Sequence, residues 1–239
     1  MKELSLQDIL KNTSDITHKK VWYVSIIGRP NTWKSTFINT LLWEKVVITS
    51  NIPQTTRNKI LAMYNDAESQ IIFIDTPGIH ESRKKINQEI NNQALSSMKD
   101  SSVILYFIDS TRTYWEEEQY IEKILEYVRV PIIKVFTKID LVRNKPPRSD
   151  DFYNALHISS VTGEGLGELI LRIKWFLPEG PLLFPEEYYT KQDMRFRISE
   201  IVREKLFYEL KEELPHSIYV SVEEIEEKEE LMRISAYIY

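Results

Sequence analysis

Apolar positions fall into two patterns along this chain. Short, nearly continuous apolar runs at 21–27, 59–64, 71–75, 103–109, 132–136 and 155–159 read as strands buried on both faces. Between them, stretches with apolar residues three and four apart predict helices at Ser35–Trp43, Asn87–Met98, Glu116–Val128 and Gly167–Phe176. Strands alternating with helices imply right-handed crossovers and an α/β domain with a mostly parallel, six-stranded sheet. Ligands of such sheets sit beyond the carboxyl ends of the strands, so the residues after each run carry the most information.

The same reading divides the chain. Residues 1–20 form a polar N-terminal leader with a short helix around Leu6–Leu10, and the α/β domain spans 21–178. Residues 179–192, rich in Pro with no clear period, are expected to be a linker. A small α+β module then occupies 193–239. Its helix is predicted over 194–214, with Phe196, Ile198, Ile201, Val202, Leu206 and Leu210 on one apolar stripe. Strands at 217–225 and 231–239 follow.

Composition narrows the function. With 239 residues and a net charge of −5, the chain is not a generally basic nucleic-acid binder, and no DNA partner is expected. It has no cysteine, which excludes disulfides and thiolate metal sites and fits a reducing cytosol. Four scattered histidines do not suggest a zinc site. The first twenty residues lack the long apolar core of a signal peptide or anchor. Only six glycines occur, so each one is informative.

Gly28–Thr36 (GRPNTWKST) follows the first strand and opens a helix, in the pattern G-x4-G-K-[S/T] with one change. Backbone N–H groups of such a loop, at a helix N-terminus, cradle phosphates. Lys34 would reach the β- and γ-phosphates, and Ser35 would ligate Mg²⁺. Trp33 stands where the pattern has its second glycine, and its side chain is expected to obstruct the close approach of phosphate. Asp75–Gly78 (DTPG) ends another strand, and its carboxylate and glycine amide suit a water-held Mg²⁺ and a γ-phosphate. Thr137–Asp140 (TKID) ends a third. Asp140 could accept both N1–H and the amino group of guanine, with the Lys138 stem against the base. Ile158–Ser160 could present a backbone N–H to guanine O6. Pro53–Asn58 (PQTTRN) lies in a polar loop, where a threonine could complete a Mg²⁺ shell. Each element alone is ordinary turn chemistry; five in this order and at these positions select a guanine-nucleotide site.

These motifs, the run QIIFIDTPGIH at 70–80 and the tail FRISEIVREKLFYELKEELPHSIYVSVEE closely resemble the bacterial Era GTPases, from about Tyr23 to the last residue. The resemblance implies GTP hydrolysis to GDP and phosphate with Mg²⁺, and a KH-like module that binds 16S rRNA in assembly of the small ribosomal subunit. It also implies a cytoplasmic location with peripheral inner-membrane contact in some members. By the same resemblance Lys34 and Thr56 are catalytic, with Thr55 as fallback for Thr56. Gly28, Arg29, Pro30, Asn31, Thr32, Trp33, Lys34, Ser35 and Thr36 would hold phosphates. Asp75, Thr76, Pro77 and Gly78 would form the second switch motif. Thr137, Lys138, Asp140, Ser159 and Ser160 would hold the base, and Ser35, Thr56 and Asp75 the Mg²⁺. Asn31 matches a position that binds K⁺ in related GTPases. Ile79 follows DTPG where many GTPases carry a glutamine, which implies slow hydrolysis or help from a cation or partner.

Two departures leave a second reading open. Trp33 would make the chain a nucleotide-deficient scaffold if it filled the phosphate cradle. The C-terminal region lacks a G-x-x-G turn, and residues 181–239 carry 14 acids against 8 bases, so this half of a KH fold is not expected to clamp RNA by itself.

Overall fold

The computed structural model describes residues 18–49, 59–79, 94–112, 116–142, 155–210, 218–228 and 231–239. The strands are β1 (Lys19–Gly28), β2 (Ile60–Asn65), β3 (Ser69–Asp75), β4 (Val103–Asp109), β5 (Ile132–Thr137) and β6 (Ala155–His157). They lie in the order β2-β3-β1-β4-β5-β6, with β2 antiparallel to β3 and the others parallel. A two-residue β7 (Glu179–Gly180) pairs antiparallel with Lys19–Lys20, so the sheet has seven strands rather than six. β1 also starts two residues earlier than expected, because β7 and the backbone before β3 supply partners for Lys19 and Lys20. The expected helix at Leu6–Leu10 lies outside the described residues.

Helices cover both faces. On one side α1 (Lys34–Leu42) and α3 (Leu166–Phe176) pack Phe37, Ile38, Leu169 and Ile173 onto Val24, Ile26, Phe73, Leu105, Phe107 and Val135. Phe37 meets Phe73 and Phe107 edge-on at 5.5 and 5.3 Å. On the other side a helical segment at 94–99 and α2 (Glu116–Leu125) cover Ile27, Ile104 and Tyr106. Burial on both faces is why β3 and β4 read as unbroken apolar runs rather than alternating ones. Ser25, the polar exception within β1, is buried with its hydroxyl bonded to Ser97 O at 2.8 Å and to Ser101 Oγ at 2.7 Å. The order reverses at β1, between β3 and β4, and the phosphate-loop candidate leaves this switch point.

The Pro-rich stretch read as a linker is strapped to the sheet. Buried Gln70 accepts from the Leu183 and Phe184 N–H groups at 2.8 and 3.0 Å, and donates to Phe184 O at 2.8 Å. Leu182 and Phe184 pack against Val21, Met63 and Ile72, and Thr190 bridges to Ala62.

The C-terminal helix α4 spans Met194–Glu209, capped by the Asp193 carboxylate, which accepts from Phe196 N at 2.7 Å. It ends before the expected residue 214, since Leu210 turns extended. Its buried face also departs from the predicted stripe. Ile201 is 46% exposed, whereas Arg203, Glu204 and Phe207 are buried. Arg203 grips Glu200 through two nitrogens at 2.8 and 2.7 Å, and Glu204 accepts from Lys45 Nζ and from Thr49 N. Pairing of this kind is what allows charges to displace apolar side chains from an interface. α4 covers Val220 and Val222 of β8 (Val220–Lys228), which pairs antiparallel with β9 (Leu231–Ile238). A bulge at Val222–Glu224 shifts the register, and Leu231, Ile234 and Ile238 of β9 are exposed.

Candidate functional site

Three loops meet at the carboxyl ends of β1, β3 and β5. The first, residues 28–33, owes its shape to close backbone approach. A Cβ on Gly28 would sit 2.5 Å from Phe107 O, and one on Gly78 would sit 2.4 Å from Pro30 N. The loop is pinned to the segment after β3 by Ile79 N donating to Gly28 O at 3.0 Å and by Thr76 Oγ1 donating to Ile26 O at 2.7 Å. Asn31 and Trp33 both adopt left-handed backbone, with φ 63°. Asn tolerates this conformation and Trp does not, so the Trp33 position stores of order 1–2 kcal/mol of strain. The Trp33 carbonyl accepts from Phe37 N and thereby starts α1.

Inside the loop lies the Lys34 ammonium. It donates to Arg29 O at 2.8 Å and approaches Gly28 O at 3.4 Å and Thr32 Oγ1 at 3.5 Å. Burial lowers its pKa to about 8, against the opposing pull of the Asp75 carboxylate. The first residues of α1 and the end of β3 converge beside it, where Ser35 Oγ donates to Asp75 Oδ2 at 2.7 Å. A hydroxyl and a carboxylate this close are hard oxygen donors of the kind that suit Mg²⁺. Arg29 instead turns outward to α2, where it pairs with Glu117 and, at 2.9 Å, with Glu118. Burial would lower its pKa, but hydrogen bonding and charge from Glu118 and Glu117 hold it above the ordinary value.

The second cluster forms around β5. Lys138 is left-handed, φ 61°, and its ammonium bonds Asp109 Oδ2 at 2.7 Å at the end of β4. Desolvation would raise the Asp109 carboxyl, but Lys138 and the Thr111 hydroxyl and N–H outweigh it and keep the group below its ordinary range. Lys138 Nζ also stands 5.1 Å from the centroid of the Trp33 indole. Asp140 is exposed on the 3-10 turn Ile139–Leu141. Residues 158–160 lie alongside: Ile139 N donates to Ile158 O, and Thr40 of α1 donates from its hydroxyl to Ser160 O. Ser159 Oγ accepts from Thr162 N at 3.1 Å, which folds the loop back on itself.

This geometry has counterparts among known proteins. Residues 23–138 match the family of 50S ribosome-binding GTPases. GTPase Era from Halothermothrix orenii is 40% identical over 228 residues, covering 92% of this chain and 78% of that protein. GTPase Era from Borreliella afzelii is 41% identical, with 92% and 79% covered. The chain belongs to the Era family of GTPases. Its fold agrees: a crystal structure of Era in complex with MgGDPNP and nucleotides 1506–1542 of 16S ribosomal RNA superposes with a TM-score of 0.87 at 36% identity, covering 92% of this chain and 79% of that one. Aquifex aeolicus Era bound to GDP.AlF4⁻ superposes at 0.85, also 36% identical, covering 92% and 78%.

Against the Era pattern, the structure brings together Gly28 through Thr36, Asp75 through Gly78, Thr137, Lys138, Asp140, Ser159 and Ser160 at one end of the sheet. Thr55 and Thr56 lie outside the described residues. At Trp33 the structure sets the indole 5.1 Å from Lys138 Nζ, while the Lys34 ammonium bonds Arg29 O inside the loop. Two partners escaped the sequence reading. Asp109 ends VILYFID just as Asp75 ends IIFID, so the same strand-end signal was available for it. The Glu117–Glu118 pair carried no signal beyond an acidic first turn of a helix.

Proposed function

We propose that this Era-family chain binds GTP and hydrolyses it to GDP and phosphate, and, against the expectation from its C-terminal charge, that it acts in small-subunit assembly through 16S rRNA, a reading supported by its likeness to Era in complex with that RNA. The observation that carries the reading is the meeting of Lys34, Ser35 and Asp75 at the N-terminus of α1, with Asp140 and Lys138 across the same sheet end. Lys34 would exchange its loop carbonyls for β- and γ-phosphate oxygens, while loop N–H groups of residues 31–35 hold the rest of the diphosphate. Asp140 would read the guanine edge through two parallel bonds, with Ser159 and Ser160 beside it and the Lys138 stem against the base. Ser35 and Asp75 would hold Mg²⁺, which when bound neutralises charge developing on the phosphates.

Hydrolysis consists of attack by water on the γ-phosphorus, with cleavage of the bond to the β–γ bridging oxygen and release of GDP and phosphate. With Ile79 after DTPG, no glutamine orients the water at that position. Rate then rests on positioning by the loop and on Lys34 and Thr56, and Asn31 would hold a K⁺ ion that would supply further positive charge. The location proposed is cytoplasmic, with peripheral contact at the inner membrane. Among the described residues no helix is long and apolar enough to cross a membrane. The test is a titration with fluorescent GDP, with and without Mg²⁺, followed by phosphate release from GTP and from ATP. Saturable, Mg²⁺-dependent binding and GTP-selective release are expected. No binding, or equal release from ATP, would refute the reading.

A further inference from the structure

Trp33 is this chain's own departure from the phosphate-loop pattern, and its side chain has a specific partner. The Lys138 ammonium stands 5.1 Å from the indole centroid, inside the range at which a cation is attracted to an aromatic face. The lysine is the fixed member of the pair. Its Nζ is 2.7 Å from Asp109 Oδ2, and Asp109 is itself held by the Thr111 N–H and hydroxyl at 2.9 and 2.6 Å. Both Trp33 and Lys138 sit on left-handed backbone, an arrangement that clusters where a fold stores strain for function. The contact therefore joins the phosphate loop to the base-recognition loop by side chains alone.

We propose that the Trp33 indole is a gate on the nucleotide site. The inference rests on the nucleotide-binding reading above. A nucleotide held by the phosphate loop at one end and by Lys138 and Asp140 at the other must span the gap that the Trp33–Lys138 contact bridges. The contact opens before the ligand seats, and a ligand that engages Lys138 through its base offsets its loss. A ligand that engages only the phosphate loop does not. The indole is the part that moves, by side-chain rotation, because its backbone starts α1 and Lys138 is tied to Asp109.

The experiment is stopped-flow association of mant-GDP with the full chain and with Trp33→Phe, Trp33→Leu and Trp33→Gly, each shown by a cooperative thermal melt to be folded. Leucine keeps the Cβ and the backbone strain while removing the aromatic face, so it isolates the ring. Phenylalanine keeps an aromatic face. Glycine removes both the side chain and the strain. The association rate constant is expected to rise at least tenfold in Trp33→Leu and Trp33→Gly, and less than threefold in Trp33→Phe. Unlabelled GDP should change the intrinsic emission of the wild-type chain by an amount lost in Trp33→Phe, since among the described residues Trp33 is the tryptophan with a cation at its face. Association of Trp33→Leu at the wild-type rate overturns the gate while leaving nucleotide binding intact. No association in any folded variant or in the wild type overturns the nucleotide reading and the gate with it.

Discussion

Replacing Gly78 by alanine adds one methyl group at the tightest point between the phosphate loop and the segment after β3. The new Cβ would lie 2.4 Å from Pro30 N, 2.6 Å from Pro30 Cα and 2.7 Å from Pro30 Cδ. Non-bonded carbon contacts settle near 3.5–4.0 Å, so roughly 1 Å of separation is required. All three atoms belong to backbone or to a proline ring, and no side chain can rotate away. The segment carrying Gly78 cannot yield either, because Ile79 N bonds Gly28 O and Thr76 Oγ1 bonds Ile26 O. The displacement is taken up by the phosphate loop at Pro30. A misplacement of about 1 Å at a positioned phosphate lowers a rate by about 10²-fold, or about 2.7 kcal/mol of transition-state stabilisation. Overpacking should also destabilise the fold by about 1–3 kcal/mol. Gly167→Ala is the control: a Cβ there meets nothing within 4 Å, and the residue lies within α3. Its rate should be unchanged and its stability equal or up to about 1 kcal/mol higher. Phosphate release at saturating GTP and a thermal melt measure both quantities. A Gly78→Ala protein with wild-type turnover and an unshifted melt would refute the reasoning.

Other consequences follow from particular contacts. Gln70→Ala removes a buried amide that makes four hydrogen bonds, to Asn65 Oδ1, Phe184 O, Leu183 N and Phe184 N, and should lower stability by about 3–4 kcal/mol in urea unfolding. A loss under about 1 kcal/mol would mean that the 181–184 strap is held by its apolar contacts instead. Lys34 titrates near 8 in the fold, below its ordinary 10.5. The unfolded chain then binds more protons between pH 8 and 10.5, so this group's penalty is present in full below pH 8 and stability rises with pH across that window. Phosphate binding needs the ammonium, so affinity for GDP should fall, approaching about tenfold per unit above pH 8; a flat profile from pH 7 to 9.5 would contradict the placement of Lys34. Asp140→Ala should weaken GDP binding at least tenfold, about 1.4 kcal/mol, and leave ADP unchanged in competition titrations. Equal weakening of both would exclude Asp140 as the guanine reader.

Sequence alone determined the parts of this protein that are local in the chain. Runs such as IIFID and VILYFID are buried strands because a continuous apolar segment has no other stable place than a sheet covered on both faces, and their terminal aspartates mark the ligand end. The strand–loop–helix around Gly28–Thr36 was legible for the same reason, since the loop and the helix it starts are contiguous. What joins distant segments was not legible. The pairing of Arg29 with Glu117 and Glu118, the Lys138–Asp109 bond that fixes the lysine beneath Trp33, and the hold of Gln70 on Phe184 span 88, 89, 29 and 114 residues. Only the order β2-β3-β1-β4-β5-β6 brings their strand ends together. The orientation of Trp33 belongs to the same class. Sterics marked the residue as an obstruction, but only the fold sets its indole beside a cation from a strand two places away while Lys34 bonds a loop carbonyl. On α4 the apolar stripe misplaced Ile201 because Glu204 and Arg203 found partners across the interface and on their own helix. A helical period records which side chains share a face, whereas the choice of buried face depends on partners that only the assembled fold presents.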